Sequence, residues 1–461
     1  MKTDNFLLEI HTEELPPKTL QKLSQALMEA IESGLTEAGL AHGDLQLFAT
    51  PRRLAVIVKA LAAKQPSRMI ERRGPACCAA FKDGKPTQAC EGFAKSCGTT
   101  VDKLETLTTD KGEFLFYKKS EAGKPATTLM PEIVEKAIKL LPIAKPMRWG
   151  KHQAQFARPV HSIIMMYGKK VIPSNFFGKK ADKKTQGHRF HQEKVLMIES
   201  ANTYEAQLEK QGFVIPDFEK RQQLILTGLL ACAKEHKATV IIEKPLLNEV
   251  TALVEWPVVL LGQFPKRFLE LPREVLISTM QNHQKCFPLT NHQGKLLPLF
   301  MTVSNLQSLS PELVIKGNER VMIARLSDAE FFYKADRMQP LKKYRDDLKN
   351  VIFQAKLGTV YEKTERMKSL AEFIAEKIGA NVDEAKRASE LSKCDLMTSM
   401  VSEFPELQGV MGHYYALHDQ ESNEIAMALE EQYMPFNAEA DLPKTQTGKI
   451  LALADRIDTL V

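Results

Sequence analysis

Apolar positions along this chain follow two spacings, and the changes between them mark its elements. The opening FLLEIHTEELPP reads as a strand that stops at the Pro16-Pro17 pair. Leu20, Leu23, Leu27, Ile31 and Leu35 then recur every three or four residues, which predicts an amphipathic helix over 18–38 ended by Gly39. LAVIVKAL, from Leu54 to Leu61, is rich in β-branched residues and predicts a returning strand, so the first elements make a small α+β unit. Between 62 and 130 short apolar pieces alternate with Gly74-Pro75, Asp83-Gly84, Gly92, Gly98 and Gly123. Asp83-Gly84 is a hairpin-turn signal, and GEFLFYKK has the aromatic content of a strand. Helix-like PEIVEKAIKLL and strand-like VHSIIMMYG follow. Residues 201–238 look helical, with Leu208, Leu224, Leu226, Leu229 and Leu230 as core candidates, and VTALVEWPVVLLGQF predicts strands.

From about residue 320 long helical periods replace the strand signals. Residues 360–378 place Val360, Met367, Leu370, Phe373, Ile374 and Ile378 on one broad face, with Glu362 and Arg366 as an i,i+4 pair. Asn381 with Glu384 is a capping-box pattern that opens another helix. The final GKILALADRIDTLV puts Ile450, Ala454, Ile457 and Val461 on one stripe with no cap after it, which reads as a helix cut short. There is no internal repeat and no low-complexity tract.

Composition narrows the class. At 461 residues the chain is expected to hold about three domains, and with 44% hydrophobic and 26% charged residues it is globular rather than disordered. Seven cysteines, unevenly spaced, do not make a secreted disulfide scaffold, and a reduced cytoplasmic setting is the expectation. Asp4, Glu9, Glu13 and Glu14 stand where a signal peptide needs an unbroken apolar core, and no stretch approaches the roughly 18 apolar residues of a membrane helix.

Familiar catalytic signatures are absent: no GxxxxGK[ST], HExxH, GxSxG or paired CxxC occurs. Cys77, Cys78, Cys90 and Cys97 lack the two tight chelating pairs of a zinc site and read as ordinary thiols. His418-Asp419, with His413, Asp455 and Asp458, invites a His-Asp phosphohydrolase reading, which needs imidazole and carboxylate ligands converging on a metal. A surface turn for His418-Asp419 and salt-bridged helix positions for Asp455 and Asp458 fit the surrounding pattern better. No catalytic, cofactor-binding or metal-binding residue is therefore assigned.

Charge is where the sequence is informative. The net charge is +6, yet residues 139–194 hold 13 Lys and Arg against Asp182 and Glu193, a local surplus of +11. Lys145, Arg148, Lys151, Arg158, Lys169, Lys170, Lys179, Lys180, Lys183, Lys184 and Arg189 are interleaved with Trp149, Phe156, Phe176, Phe177 and Phe190. Cations for phosphates and aromatic faces for unpaired bases are the two components of single-stranded RNA recognition, although Phe176 and Phe177 also suit a core. The RNA-binding candidates are Lys145, Arg148, Lys151, Lys179, Lys180, Lys183, Lys184 and Arg189.

A series of phrases carries a resemblance. LLEIHTEELPP, ATPRRLAVIV, RRGPA, KPTQACEGFAKSCG, FLELPREVLISTMQNHQKCFPL, GNERVMIARLSDAEFFYKAD, EFPELQGVMGHYYA and LPKTQTGKILALADRIDTLV occur in one order from Phe6 to Val461. Together they resemble the beta subunit family of the bacterial glycyl-tRNA synthetases built from two alpha and two beta chains. The resemblance implies a multidomain chain: N-terminal mixed α+β modules over 1–145 and 146–320, like the editing-type domains of phenylalanyl-tRNA synthetase beta, then an incomplete all-α degenerate His-Asp-phosphohydrolase-like domain over 321–461. An anticodon-binding domain would be absent. It implies a noncatalytic tRNA-binding and assembly subunit in a cytoplasmic alpha2/beta2 heterotetramer, partnering the alpha subunit and tRNA(Gly), with ATP and Mg²⁺ used through the alpha subunit and none bound by this chain. At the His-Asp signature this sequence reads MVSEFPELQG, with Ser402-Glu403 and no histidine. The alternative is a divergent metal-dependent phosphohydrolase or a hydrolytic proofreading module.

Overall fold

The computed structural model describes residues 2–82, 84–110, 112–151 and 153–461. The contacts divide it into two compact units, one made of residues up to Gln223 with Asn248–Trp256, the other of Leu224–Leu247 with Pro257–Val461. This differs from the division expected at 145 and 320. Strand Val160–Tyr167 pairs with the first strand, Thr3–Thr12, so residues on both sides of 145 share one sheet. Helix Pro311–Asp336 begins before 320 and packs on strand Val258–Gln263, so no break falls there either.

The first unit is built on a seven-stranded sheet. Its order is Asn175–Phe176, Lys179–Asp182, Val160–Tyr167, Thr3–Thr12, Arg53–Ala62, Leu45–Thr50, with Lys170–Val171 paired to the end of Val160–Tyr167. Period-two alternation puts Phe6, Leu8 and Ile10 on one face, under helices Leu20–Glu37 and Ala126–Lys139, where all five predicted stripe residues from Leu20 to Leu35 are buried. Gly39, at φ +63°, takes the left-handed turn that follows the first helix. Leu7 lies on the other face, against Leu196, Ile198, Tyr204 and Leu208. A three-stranded sheet of Arg68–Ala76, Gly112–Glu121 and Glu105–Thr109 holds its own small core of Ala80, Cys90 and Leu115 with helix Gln88–Ser96. The Asp83-Gly84 turn expectation falls partly outside the described residues, since Asp83 is one of those not described.

Two local expectations change. The 201–238 stretch is two helices, Tyr204–Gly212 and Phe218–Glu235, separated where Phe213 adopts φ +53° and Pro216 follows. Leu208 and Leu229 are buried as expected, but Leu224 and Leu230 are about half exposed; Tyr204, Ile225 and Ala233 are buried instead. The valine-rich run after Val250 begins inside helix Lys244–Leu253, and only Val258–Gln263 is a strand. Leu246, Leu247 and Val250 bury one helical face, so tertiary packing overrides β propensity.

The second unit joins a four-stranded antiparallel sheet, Thr239–Val240, Phe287–Thr290, Leu296–Ser304, Val258–Gln263, to a helical array through one core that includes Phe300, Met322, Met367, Met411 and Leu451. Its C-terminal part is not wholly helical: Ile352–Gln354 and Gly358–Thr359 form a small hairpin. In helix Val360–Ile378 the buried stripe runs Val360, Thr364, Met367, Ala371, Ala375, while Phe373 and Ile378 are exposed. Glu362 does not pair Arg366. Its carboxylate instead accepts from Thr359 N at 2.7 Å in a capping box, and Arg366 reaches Asp458. Asn381 caps helix Val382–Leu391 as expected, accepting from Glu384 N at 3.2 Å. In helix Gln446–Leu460 Ile450 and Ala454 are buried, and Ile457 and Val461 are exposed.

Candidate nucleic-acid interface

No Asp or Glu occurs between Glu135 and Asp182, an interval with ten Lys and Arg. That interval folds on the first unit around one groove of about 610 Å³, lined by Ile138, Leu141, Ile143, Pro146, Phe176 and Phe177 with the polar Glu135, Lys139, Gln155 and Asn175. Among the described residues Lys139 belongs to its lining, and several other cations adjoin lining residues in sequence or strand register. Met147–Arg148 and Gln155–Phe156 form a short hairpin that sets Arg148 opposite Gln155. With the Gln155 amide oriented so that its oxygen faces the guanidinium, Arg148 Nε and Nη2 donate to it at 2.7 and 3.0 Å. Lys145 precedes the groove residue Pro146, and Lys151 follows the turn at Gly150 (φ +59°). Lys179 and Lys180 pair across a second hairpin with the groove residues Phe176 and Asn175. Lys145, Arg148, Lys151 and Lys180 are exposed and Lys179 is half-buried.

The turn of that second hairpin is Phe177-Gly178, with φ of +55° and +73°. Positive φ at both loop residues is the signature of a type I′ turn, which favours Asn-Gly. A phenylalanine there bears strain of about 1–2 kcal/mol. Its ring offsets this by packing on Phe156 at 5.0 Å and Trp149 at 6.1 Å between centroids, and it stays half-buried. Of the other aromatics singled out, Phe156 and Phe176 are core and Phe190 is exposed.

The remaining candidates do not join this group. Lys184 lies 3.6 Å from Asp182 and opens the Lys184–Gln186 strand, whose Thr185 points into the opposite face of the sheet; Lys183 precedes it, exposed. Arg189 Nη2 sits 3.0 Å from both Glu13 and Glu14, so its charge is compensated within the unit. Spacing alone did not separate these cations, because the polypeptide crosses from one face of the sheet to the other after Asp182.

That opposite face holds a buried charge network. Arg53, fully buried, is 3.3 Å from Glu9 and 3.4 Å from Glu255, and its Nη2 donates to Gln186 O at 2.9 Å. Tyr204 Oη and Thr185 Oγ1 each donate to Glu9 at 2.5 Å, and Thr50 Oγ1 donates to Glu255 at 2.7 Å. Burial opposes charge on Arg53, but Glu255 and Glu9 outweigh it and raise its pKa. His11, one pleat along, is buried with its pKa lowered to about 2 by burial and by Arg53 and Arg52, so it is neutral.

In the second unit the polar residues singled out serve packing. His418 ends helix Val410–His418 and lies 3.0 Å from Arg337, and Asp419 accepts from Leu341 N at 2.6 Å. Lys363 Nζ lies 3.1 Å from both Asp455 and Asp458, Arg366 Nε donates to Asp458 at 2.5 Å, and Lys393 Nζ is 3.3 Å from Asp455 and 4.0 Å from the Tyr433 ring centre. Ser402 and Glu403 are exposed at the end of helix Ser399–Glu403. Among the described residues no group of three or more His, Cys, Asp or Glu is placed to hold a metal ion. Their seven cysteines are free thiols, and among the described residues no helix is long and apolar enough to cross a membrane.

A sheet edge carrying exposed cations around a half-buried aromatic turn is a surface of the kind that meets RNA. The chain belongs to the glycyl-tRNA synthetase beta subunit family, whose model matches residues 6–461. It is 50% identical over 460 residues to the glycine–tRNA ligase beta subunit of Chromohalobacter salexigens and 50% over 463 to that of Marinobacter nauticus. It is 49% identical over 462 residues to that of Coxiella burnetii. In each case all of this chain is covered, and 67% of the relative.

Proposed function

We propose that this chain is a tRNA-holding and assembly component of glycine–tRNA ligase. The basic groove edge of its first unit contacts phosphates of tRNA(Gly), while an alpha chain joins glycine to the tRNA using ATP and Mg²⁺. The observation that carries the RNA contact is the acid-free interval between Glu135 and Asp182, folded so that Arg148, Lys179 and Lys180 stand across strand pairs from lining residues of one groove, with Lys145 next to its Pro146 and Lys151 in the loop of the first hairpin. In water a phosphate backbone is attracted to such a surplus through counterion release, with no need for base reading. The assembly role, the alpha2/beta2 stoichiometry and a cytoplasmic setting come with the family. A fold relationship to editing-type modules of phenylalanyl-tRNA synthetase and to His-Asp phosphohydrolases belongs to the same proposal, supported by the order of an α+β unit and a largely helical one. The structural role expected for Asp455 and Asp458 is supported by their pairing with Lys363, Lys393 and Arg366.

Reconstitution tests the proposal. The purified chain alone should form no glycyl-tRNA, should co-purify with the alpha chain, and should support charging once combined with it. Glycyl-tRNA made by the single chain, or an alpha chain whose activity ignores this one, would contradict it.

A further inference from the structure

We propose that the groove beside the Phe177 turn receives an unpaired nucleotide of RNA, its base against the Phe177 ring and its neighbouring phosphates on Lys145 and Lys179. This rests on the RNA-contacting reading above and deepens it from charge attraction to recognition of single strands. Three observations converge. Phe177 occupies a left-handed turn position that Asn or Gly fills without strain, yet it keeps a half-buried ring along the groove. The lining includes the apolar Ile138, Ile143, Pro146 and Phe177, and about 610 Å³ is the size of a small-ligand site. Among the described lining residues Glu135 and Lys139 pair at 2.7 Å and leave the lining neutral, while the charged side chains next to it in sequence or strand register, Lys145, Arg148, Lys179 and Lys180, are all positive. An occupant with a flat apolar face and negative charge on either side is a nucleotide whose base is exposed. A duplex hides its base faces, so the groove selects unpaired RNA.

The two contributions separate by salt. Phosphate contacts set the slope of log affinity against log salt, whereas stacking is nearly independent of salt. The test uses the full chain and two labelled probes, a single-stranded eight-nucleotide RNA and a duplex of the same strand length, titrated by fluorescence anisotropy across a salt series. Phe177→Asn keeps a residue suited to the turn and removes the ring. It should weaken single-strand binding about tenfold at every salt concentration, leave the slope unchanged and leave duplex binding unchanged. Phe177→His, which also tolerates the turn and restores a ring, should recover most of the loss. Thermal melts of both variants confirm the fold.

Single-strand affinity unchanged in Phe177→Asn would overturn the stacking role while leaving the phosphate contacts standing. Equal losses for both probes with a reduced slope would overturn it too, because the ring would then only support the hairpin that carries Lys179. A poly-glutamate peptide that binds with the same dependence on Phe177 would show an acidic polypeptide to be the occupant instead. If the wild-type chain binds neither probe with any salt dependence, the RNA-contacting reading itself fails.

Discussion

Replacing Arg53 with methionine should break the first unit from its centre. Arg53 is fully buried and lies between Glu9 and Glu255 at 3.3 and 3.4 Å. Methionine fills similar volume but leaves both carboxylates facing a low-dielectric interior, and it also abandons the Gln186 carbonyl. Removing one partner of a buried ion pair costs about 3–5 kcal/mol. That is a large part of the roughly 5–15 kcal/mol that holds a domain folded. The chain's two tryptophans, Trp149 and Trp256, both lie in the first unit, so tryptophan fluorescence during urea unfolding reports on that unit. The midpoint should fall by roughly 1–2 M at an ordinary denaturant slope. A second substitution, Glu9→Gln, removes one orphaned charge while Tyr204 and Thr185 can still hydrogen-bond the amide. The double variant should therefore lose about 2 kcal/mol less than the two single losses combined. Additivity within about 0.5 kcal/mol, or a loss below about 1 kcal/mol for Arg53→Met alone, would refute the reasoning.

Two further outcomes follow from the same physics. His11 stays neutral when folded, with its pKa lowered to about 2, while the unfolded chain takes up a proton near 6.5. The unfolded state therefore binds more protons between those values, so stability falls as pH falls, by about 2 kcal/mol at pH 5 relative to neutral. Urea midpoints at pH 7.5 and 5.0 should differ less in His11→Phe; an identical pH dependence would contradict the assignment. In the second unit, burial raises the Asp458 pKa, but hydrogen bonds from Arg366 and Lys363 outweigh it and hold the carboxyl ionised. Asp458→Asn should cost up to about 3 kcal/mol and speed hydrogen exchange along Gln446–Leu460, an effect whose absence would show that the ion pairs do not anchor that helix.

What the sequence revealed follows its periodicities. Helix Leu20–Glu37 was legible because it buries one continuous apolar stripe against the sheet, and strand Arg53–Ala62 because its apolar run lies inside that sheet and is buried on both faces. Leu224, Leu230, Phe373 and Ile378 misled, because an apolar residue on a helix need not face the core that its neighbours choose. The Asp336 carboxylate accepts from Ser399 N and Met400 N at 2.8 and 2.9 Å, a cap made across 63 residues that no local pattern announces. The basic surplus was visible, but its partition was not. Lys145, Arg148, Lys151, Lys179 and Lys180 gather by two hairpins, whereas Arg189 is drawn to Glu13 and Glu14 on the first strand's tail. The Phe177-Gly178 pair was the one local signal of the groove, since a two-residue turn ending in glycine invites a residue there that is suited to positive φ.

The most direct test of the RNA-contacting surface is the salt dependence of tRNA(Gly) binding by the chain and by a variant carrying Lys145→Ala, Arg148→Ala, Lys179→Ala and Lys180→Ala. Each phosphate contact contributes about 0.7–0.9 to the slope of log affinity against log salt. The account predicts weaker binding and a slope smaller by about 3. Unchanged affinity and slope would contradict it and assign this edge of the sheet to something other than RNA.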